Sequence, residues 1–382
     1  MLGINSNINS LVAQQNLNGS QSALSQAITR LSSGKRINSA ADDAAGLAIS
    51  TRMQTQINGL NQGVSNANDG VSMIQTASSA LSSLTSSLQR IRQLAVQAST
   101  GTLSSSDQAA LQQEVSAQIS EVNRIASQTT YNGTNILDGS AGNVTFQVGA
   151  NVGQTISLNL TQSMSAAKIG GGLVQKGQTV GTVAVSTDAA GVYTATGAAI
   201  TSVNVLSDGN GGFTFTDQNN QALSATAVSA IFSSGATTGS GTAITTLTLS
   251  STLATSMGTT AANAATAAVA QINAINAPPT VSNLNISTVT GANEAMVSID
   301  NALQTVNNLQ AALGAAQNRF TAIATSQQAE STDLSSAQSQ ITDANFAQET
   351  ANLSKAQVLQ QAGISVLAQA NSNPQQVLKL LQ

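Results

Sequence analysis

Two long helical stripes, set near opposite ends of the sequence, constrain this chain more than any other feature. Ile57, Leu60, Val64, Ala67, Val71 and Ile74 alternate by three and four, and Ala77, Leu81, Leu84, Leu88, Ile91, Ala95 and Ala98 continue the alternation on a neighbouring stripe. Far downstream, Met296, Ile299, Leu303, Val306, Leu313, Phe320, Ala324, Leu334 and Ile341 repeat it. The roughly 42 residues from Ile57 to Ala98 would span about 63 Å as a helix, well beyond an ordinary globular one. Such length without a stop signal points to a coiled coil or bundle. Antiparallel pairing of the two stripes places residues 141–290 at one tip and both termini at the other.

Further helical segments flank these. Ile4, Ile8, Leu11, Val12, Leu24, Ala27, Ile28 and Leu31 share one broad side of a first helix, with Gly19 as a weak point and an end near Ser33-Gly34. A shorter helix follows Ser106 or Asp107 as N-cap, with Leu111, Val115, Ile119, Val122 and Ala126 inward. The last segment holds Leu353, Ala356, Ile364 and Leu367, and Pro374 is expected to interrupt or end it. Within the downstream stripe, Gln310, Gln317, Gln327, Ser331 and Gln338 occupy core positions. Polar groups there weaken a core but fix register, so the seam need not be sealed within one chain.

Between the helical ends the texture changes to Gly-rich turns and Thr/Val alternation. VTFQV (144–148), TISLNL (155–160), TVAVS (182–186), SVNVL (202–206), FTFT (213–216) and ITTLTL (244–249) read as short strands. The Ala-rich run from Thr259 to Ala277 reads as a helix ended by Pro278-Pro279. The fold class is therefore mainly α with an α+β insertion. A long antiparallel helical bundle or coiled coil is formed by the N- and C-terminal segments, around a variable central β-rich domain.

Only 7% of the residues are charged, against about 25% in a usual soluble protein. Few charges repel neighbouring copies, which favours self-association. The net charge of −4 offers no basic groove for nucleic acid and no basic amphipathic helix for a membrane surface. No run of 18 apolar residues occurs, so membrane insertion is not expected. The start, MLGINSNINSLVAQQ, lacks the positive and continuous apolar regions of a signal peptide.

Cys, His and Trp are absent, which removes disulfides, imidazole and thiolate ligands, and any Ser-His-Asp triad. IGGGLVQKGQTVG (169–181) lacks the order of a phosphate loop, and DGNGGF (208–213) lacks the closing Glu of a calcium loop. Both read as turns. Asp42-Asp43 and Glu114/Glu121 are spaced as surface or inter-helix salt partners rather than paired catalytic carboxylates. No catalytic residue, metal site or cofactor is expected. In SLQRIRQLAVQAS (87–99), Arg90 with Leu94 on roughly the same side reads either as a solvated face or as a docking surface of apolar carbon and an Arg fork.

The sequence resembles bacterial flagellins. The resemblance lies in INSNINSLVAQQNLNGSQSALSQAITRLSSGKRINSAADDAAGLAIS, NANDG (66–70), LQRIRQLAVQ (88–97), YNGTNIL (131–137), FQVGANVGQTI (146–156), LGAAQNRF (313–320) and KAQVLQQAGISVLAQANSNPQQVLKLL (355–381). It covers roughly residues 1–160 and 291–382. What it implies is a structural subunit that polymerises with itself into the flagellar filament for swimming, not an enzyme. A hook–filament junction-like protein or a secreted adhesin sharing the helical ends is the alternative.

The resemblance further implies a division into an inner-tube helix and joint (1–45), the N-terminal part of the long-helix core (46–140) and a β-hairpin region (141–177). A variable outer domain (178–290), a C-terminal core helix (291–342) and a C-terminal inner-tube helix (343–382) follow. The ends would fold on polymerisation, and the chain would be secreted unfolded through the flagellar export apparatus to an extracellular filament. An export chaperone, cap and junction proteins, and host innate immune receptors would be partners. Lys35, Arg36, Asp42 and Asp43 would belong to the inter-subunit joint, where their charges guide register. Gln89, Arg90, Leu94, Gln97 and Glu114 would form an immune-receptor surface. Val377, Leu378, Leu380 and Leu381 would form a C-terminal assembly and sensing segment.

Overall fold

The computed structural model describes residues 7–234 and 246–380. The chain opens with helices α1 (Ile8–Ser33), α2 (Ala44–Ala98) and α3 (Ser105–Gln128). Strands β1 (Thr130–Tyr131), β2 (Thr134–Asn135), β3 (Gly142–Gln147), β4 (Thr155–Leu160), β5 (Thr179–Thr187), β6 (Ile200–Ser207) and β7 (Phe213–Asp217) follow. Next come α4 (Ala225–Ile231), β8 (Phe232–Ser234), β9 (Thr248–Leu249), α5 (Ser251–Ser256) and α6 (Thr259–Asn276). After a short 3₁₀ turn at Val281–Asn283, the chain closes with α7 (Val289–Thr342) and α8 (Phe346–Leu380). It is mainly α with a mixed insertion, as the stripes require. Two compact units result: residues 1–68, 147–155 and 321–382 make the first, and residues 69–146 and 156–320 the second.

In the second unit the apolar stripes become the core. Ile74, Ala77, Leu81, Leu84, Leu88, Ile91, Leu94 and Ala95 of α2 are buried, as are Val115, Val122 and Ile125 of α3 and Ile299, Val306, Leu309 and Leu313 of α7. Ion pairs tie the outer edges, Arg90 to Glu114 at 2.6 Å and Arg92 to Asp300 at 2.7 Å. The N-cap of α3 is Ser104, not Ser106 or Asp107. Its hydroxyl accepts from the Asp107 N–H while the Asp107 carboxylate accepts from the Ser104 N–H, so Asp107 serves at the third helical position of a capping box.

The inserted part of this unit is an antiparallel meander, β5-β6-β7, with Val205 opposite Phe215 and Val203 opposite Asp217. A register shift between Thr179 and Gly181 lets Val180 and Val183 both face inward despite their odd spacing. Helix α6 packs on β5, where Gly181 leaves room for Ile272. Phe215 stacks on Phe232 at 5.1 Å, and Val228, Ile231, Leu253 and Val269 complete the cluster. Pro278-Pro279 follow the end of α6 as anticipated. Helices α4 and α5 and the β1-β2 hairpin are elements the sequence pattern did not suggest, and of ITTLTL only Thr248–Leu249 forms a strand among the described residues.

In the first unit α2 and α7 run antiparallel. Ser331 donates to Asn61 Oδ1 at 2.9 Å and Gln338 Nε2 donates to the Ser50 carbonyl at 3.1 Å. The polar seam is thus satisfied partly within the chain, by side chains that match only in one register. The hairpin tip, residues 147–155, sits on α2: Asn66 Nδ2 donates to the Gln147 carbonyl at 2.7 Å, and at Gly63 any side chain would collide with the Val148 carbonyl. Neither Gly19 nor Pro374 breaks its helix. Gly19 stays in register because α1 continues on both sides, and α8 passes through Pro374 to Leu380.

Candidate functional site

The terminal helices of the first unit bury the wrong residues for a finished core. α1 and α8 run antiparallel, with Asn7 against Ala370, Leu17 against Gly363 and Arg30 against Glu349. The side chains they bury are mostly small: Ala13 and Ala27 on α1, Ala356 and Ala370 on α8. Small residues let helix backbones approach closely; Leu17, Leu24, Leu31, Leu353 and Leu367 are half-buried beside them, and many other large apolar groups stay outside. Leu11 is 68% exposed and Phe346 68%, with Ile8, Val12, Ile28, Val358, Leu359, Ile364 and Val366 also outward. Apolar side chains repeated along both helices in this way mark a surface that another protein covers.

The Arg30–Glu349 pair, at 3.2 Å, is the one largely shielded charge contact of this helix pair among the described residues. It lies where the last turn of α1 meets the first turn of α8, so each charge also suits its helix end. A groove of about 290 Å³ opens beside it, lined among others by Gln26, Asn352, Lys355 and Leu359.

The joint between α1 and α2 is built from hydrogen bonds within the chain. Gly34 ends α1 in the left-handed conformation at φ 70°. The chain then bridges to the end of α7: the backbones of Lys35 and Asp343 form an antiparallel bridge, the Arg36 N–H donates to the Thr342 carbonyl at 2.6 Å, and Ala344 N–H donates to the Gly34 carbonyl at 2.9 Å. The Arg36 guanidinium donates to the Ile341 carbonyl at 2.7 Å. Asp42 accepts from the N–H groups of Asn38 and Ser39 at 3.1 and 3.0 Å, which holds its carboxyl below the usual aspartate range. Asp43 caps α2 by accepting from the Gly46 N–H at 2.9 Å. The four joint residues therefore act first as turn and cap groups. Neither Asp42 nor Asp43 enters any of the ion pairs found among the described residues.

The residues expected to form a receptor surface are only partly on a surface. Gln89, Arg90 and Gln97 are exposed and Glu114 is half-buried. Leu94 is 1% exposed, so it cannot supply apolar contact to a partner of the folded chain. Its place four residues after Arg90 looked favourable, but Ile91, Leu94, Ala95 and Ala98 define the inward stripe at that point. The Arg90 fork is also engaged, its Nε and Nη2 both reaching Glu114 Oε1, at 2.7 and 2.6 Å. Among the described residues no group of three or more His, Cys, Asp or Glu side chains gathers as a metal site would need. No helix of the described residues is long and apolar enough to cross a membrane.

Residues 4–142 match the bacterial flagellin N-terminal helical region, residues 172–277 the flagellin D2 domain, and residues 296–381 the bacterial flagellin C-terminal helical region. Flagellin B of Vibrio cholerae is 35% identical over 393 residues, which takes in 100% of this chain and 99% of that protein. The chain belongs to the bacterial flagellin family. Polar flagellin F of Vibrio parahaemolyticus, 34% identical with 99% of each chain covered, agrees with this. So does the solved structure of FliC from Burkholderia pseudomallei, with 68% identity and a TM-score of 0.62 over 66% of this chain and 100% of that one. This flagellin is a structural protein that self-polymerises into the extracellular flagellar filament for motility.

Other parts of the flagellin's site escaped sequence reasoning or fall elsewhere. Val377, Leu378 and Leu380 lie on α8, but their side chains, and Leu381 and Ile4 altogether, are outside the described residues. The Arg30–Glu349 pair went unremarked, although a basic residue in the last turn of one helix and an acidic one in the first turn of another was a legible signal. The seat for the hairpin tip was signalled by Gly59 and Gly63, four residues apart on one side of α2.

Proposed function

We propose that the filament grows by covering the outward faces of α1 and α8 with the same faces of neighbouring copies. The observation that carries this reading is the burial pattern of the terminal pair, with alanine fully inside and Ile8, Leu11, Val12, Ile28, Phe346, Val358, Leu359, Ile364 and Val366 exposed. Fully covering one such large side chain is worth about 1.5–3 kcal/mol, so each covered group offsets the ordering of one or two residues. In this reading residues 1–45 and 343–382 form the inner tube, residues 46–140 and 291–342 the surrounding core, 141–177 its hairpin region, and 178–290 the outer domain. Lys35, Arg36, Asp42 and Asp43 set the angle at which the terminal pair leaves the core, and so place the apolar face rather than pair with a neighbour.

Export would precede assembly: the chain travels unfolded through the flagellar export apparatus with a chaperone, and cap and junction proteins bracket the growing polymer. Gln89, Arg90, Gln97 and Glu114 present a polar face to a host innate immune receptor, without Leu94. Support for this face is the exposure of Gln89, Arg90 and Gln97. In a receptor-reporter assay, Arg90→Ala is expected to lower signalling, and equal signalling removes the proposed face. The filament reading is tested by adding purified full-length chain to sonicated filament seeds and viewing the product by electron microscopy. Seeds should lengthen; a junction-like protein would cap them at constant length.

A further inference from the structure

Helix α8 contains a proline at 374 and still runs to Leu380. Proline has no N–H, so the carbonyl four residues earlier loses its helical donor. That carbonyl belongs to Ala370, which is only 8% exposed. An unpaired buried carbonyl carries a desolvation cost, and here a side chain removes it: Asn7 Nδ2 donates to the Ala370 carbonyl at 2.9 Å. The same amide works at its other end. Asn7 Oδ1 accepts from the Ser10 N–H at 3.2 Å and is the N-cap of α1. Asp would cap α1 equally well but has no donor, so only a group with acceptor and donor on one short side chain does both.

We propose that Asn7 is a positioning residue for filament assembly, supplying to α8 the hydrogen bond that Pro374 withholds while capping α1. The two terminal helices are thereby locked in one axial register, since a slip of either by one residue moves Ala370 away from Asn7. Pro374 is then not a helix breaker but the source of a free acceptor inside α8, which selects its partner. The link to assembly rests on the filament reading above; the coupling of Asn7 to Pro374 does not.

The test is a double-mutant cycle in the full-length chain: wild type, Asn7→Asp, Pro374→Ala, and both. Asn7→Asp keeps the cap and removes the donor, while Pro374→Ala returns a backbone N–H to Ala370. In seeded filaments, exchange of the α8 amides flanking Ala370 should quicken about five-fold in Asn7→Asp, the shift one net hydrogen bond is worth, while the capped Ser10 amide stays protected. In the Pro374→Ala background the same change should have almost no effect. Equal effects of Asn7→Asp in both backgrounds, or none in either, would overturn the proposal. If even wild type fails to extend seeds, the filament reading falls instead. The same cycle read by exchange on the soluble chain then decides the coupling, by the same two outcomes.

Discussion

Gly70 and Gly314 lie inside long helices, where glycine weakens a helix by about 0.5–1 kcal/mol relative to alanine. Their surroundings differ. A Cβ on Gly70 would lie 2.6 Å from Cε1 of Phe320, whose ring is fully buried and meets Phe146 edge-on at 5.3 Å, whereas a Cβ on Gly314 meets nothing within 4 Å. Gly314→Ala should stabilise the second unit by about 0.5–1 kcal/mol. Gly70→Ala should destabilise it by about 1–3 kcal/mol through overpacking. Urea unfolding followed by circular dichroism separates the two, and a stabilised Gly70→Ala would contradict the packing described. At this scale the sequence was least legible. NANDG is visible as a motif, but nothing in it says that the aromatic ring of Phe320, far downstream, takes the space a side chain would fill. Leu94 failed for a related reason: helical spacing assigns sides only relative to other residues, and two adjacent stripes share that turn.

Element by element, the pattern of apolar spacing carried most of the fold. The stripes at 57–98 and 296–341 became α2 and α7, and Thr/Val alternation became β5, β6 and β7, because each must bury one face. What spacing cannot show is how an end is finished. Ser104, Ser106 and Asp107 all suit an N-cap, and only the reciprocal bonds identify Ser104. Ser104→Ala should cost the cap about 1 kcal/mol at neutral pH. Bonds from Ser104, its hydroxyl first and then its N–H, hold the Asp107 carboxyl below its ordinary value. A carboxylate depressed in the folded state stabilises above its unfolded value and loses that contribution as pH falls through the folded one. The difference between wild type and Asp107→Asn should therefore be constant above about pH 5 and vanish below it, towards pH 2. A difference that grew on acidification, in thermal melts across that range, would contradict the capping box. Pro374 taught the converse: a residue that ends most helices is tolerated where another element supplies the missing bond.

For the whole molecule, the same shortage of charge that suggested self-association leaves the terminal pair with few charged groups beside its exposed apolar ones. The sequence shows apolar stripes at both ends, but it cannot show that alanines take the inside of the pair while many of the larger groups stay outside. That choice comes from close helix approach, a tertiary effect. The joint behaves likewise: Lys35, Arg36, Asp42 and Asp43 stood out as rare charges, yet their partners are mostly backbone groups at the ends of α7 and α2. In the proposed reading, assembly depends on geometry set inside each copy and on apolar contact between copies.

The most direct test replaces Leu11, Val12, Val358 and Val366 with Gln or Ser and measures elongation of wild-type seeds by light scattering, with far-ultraviolet circular dichroism as a check on the fold. The account predicts that the second unit keeps its unfolding transition while elongation falls at least ten-fold, since a ten-fold loss needs only about 1.4 kcal/mol and covering even one of these side chains is worth about 1.5–3 kcal/mol. Elongation at the wild-type rate, with that transition intact, would contradict it.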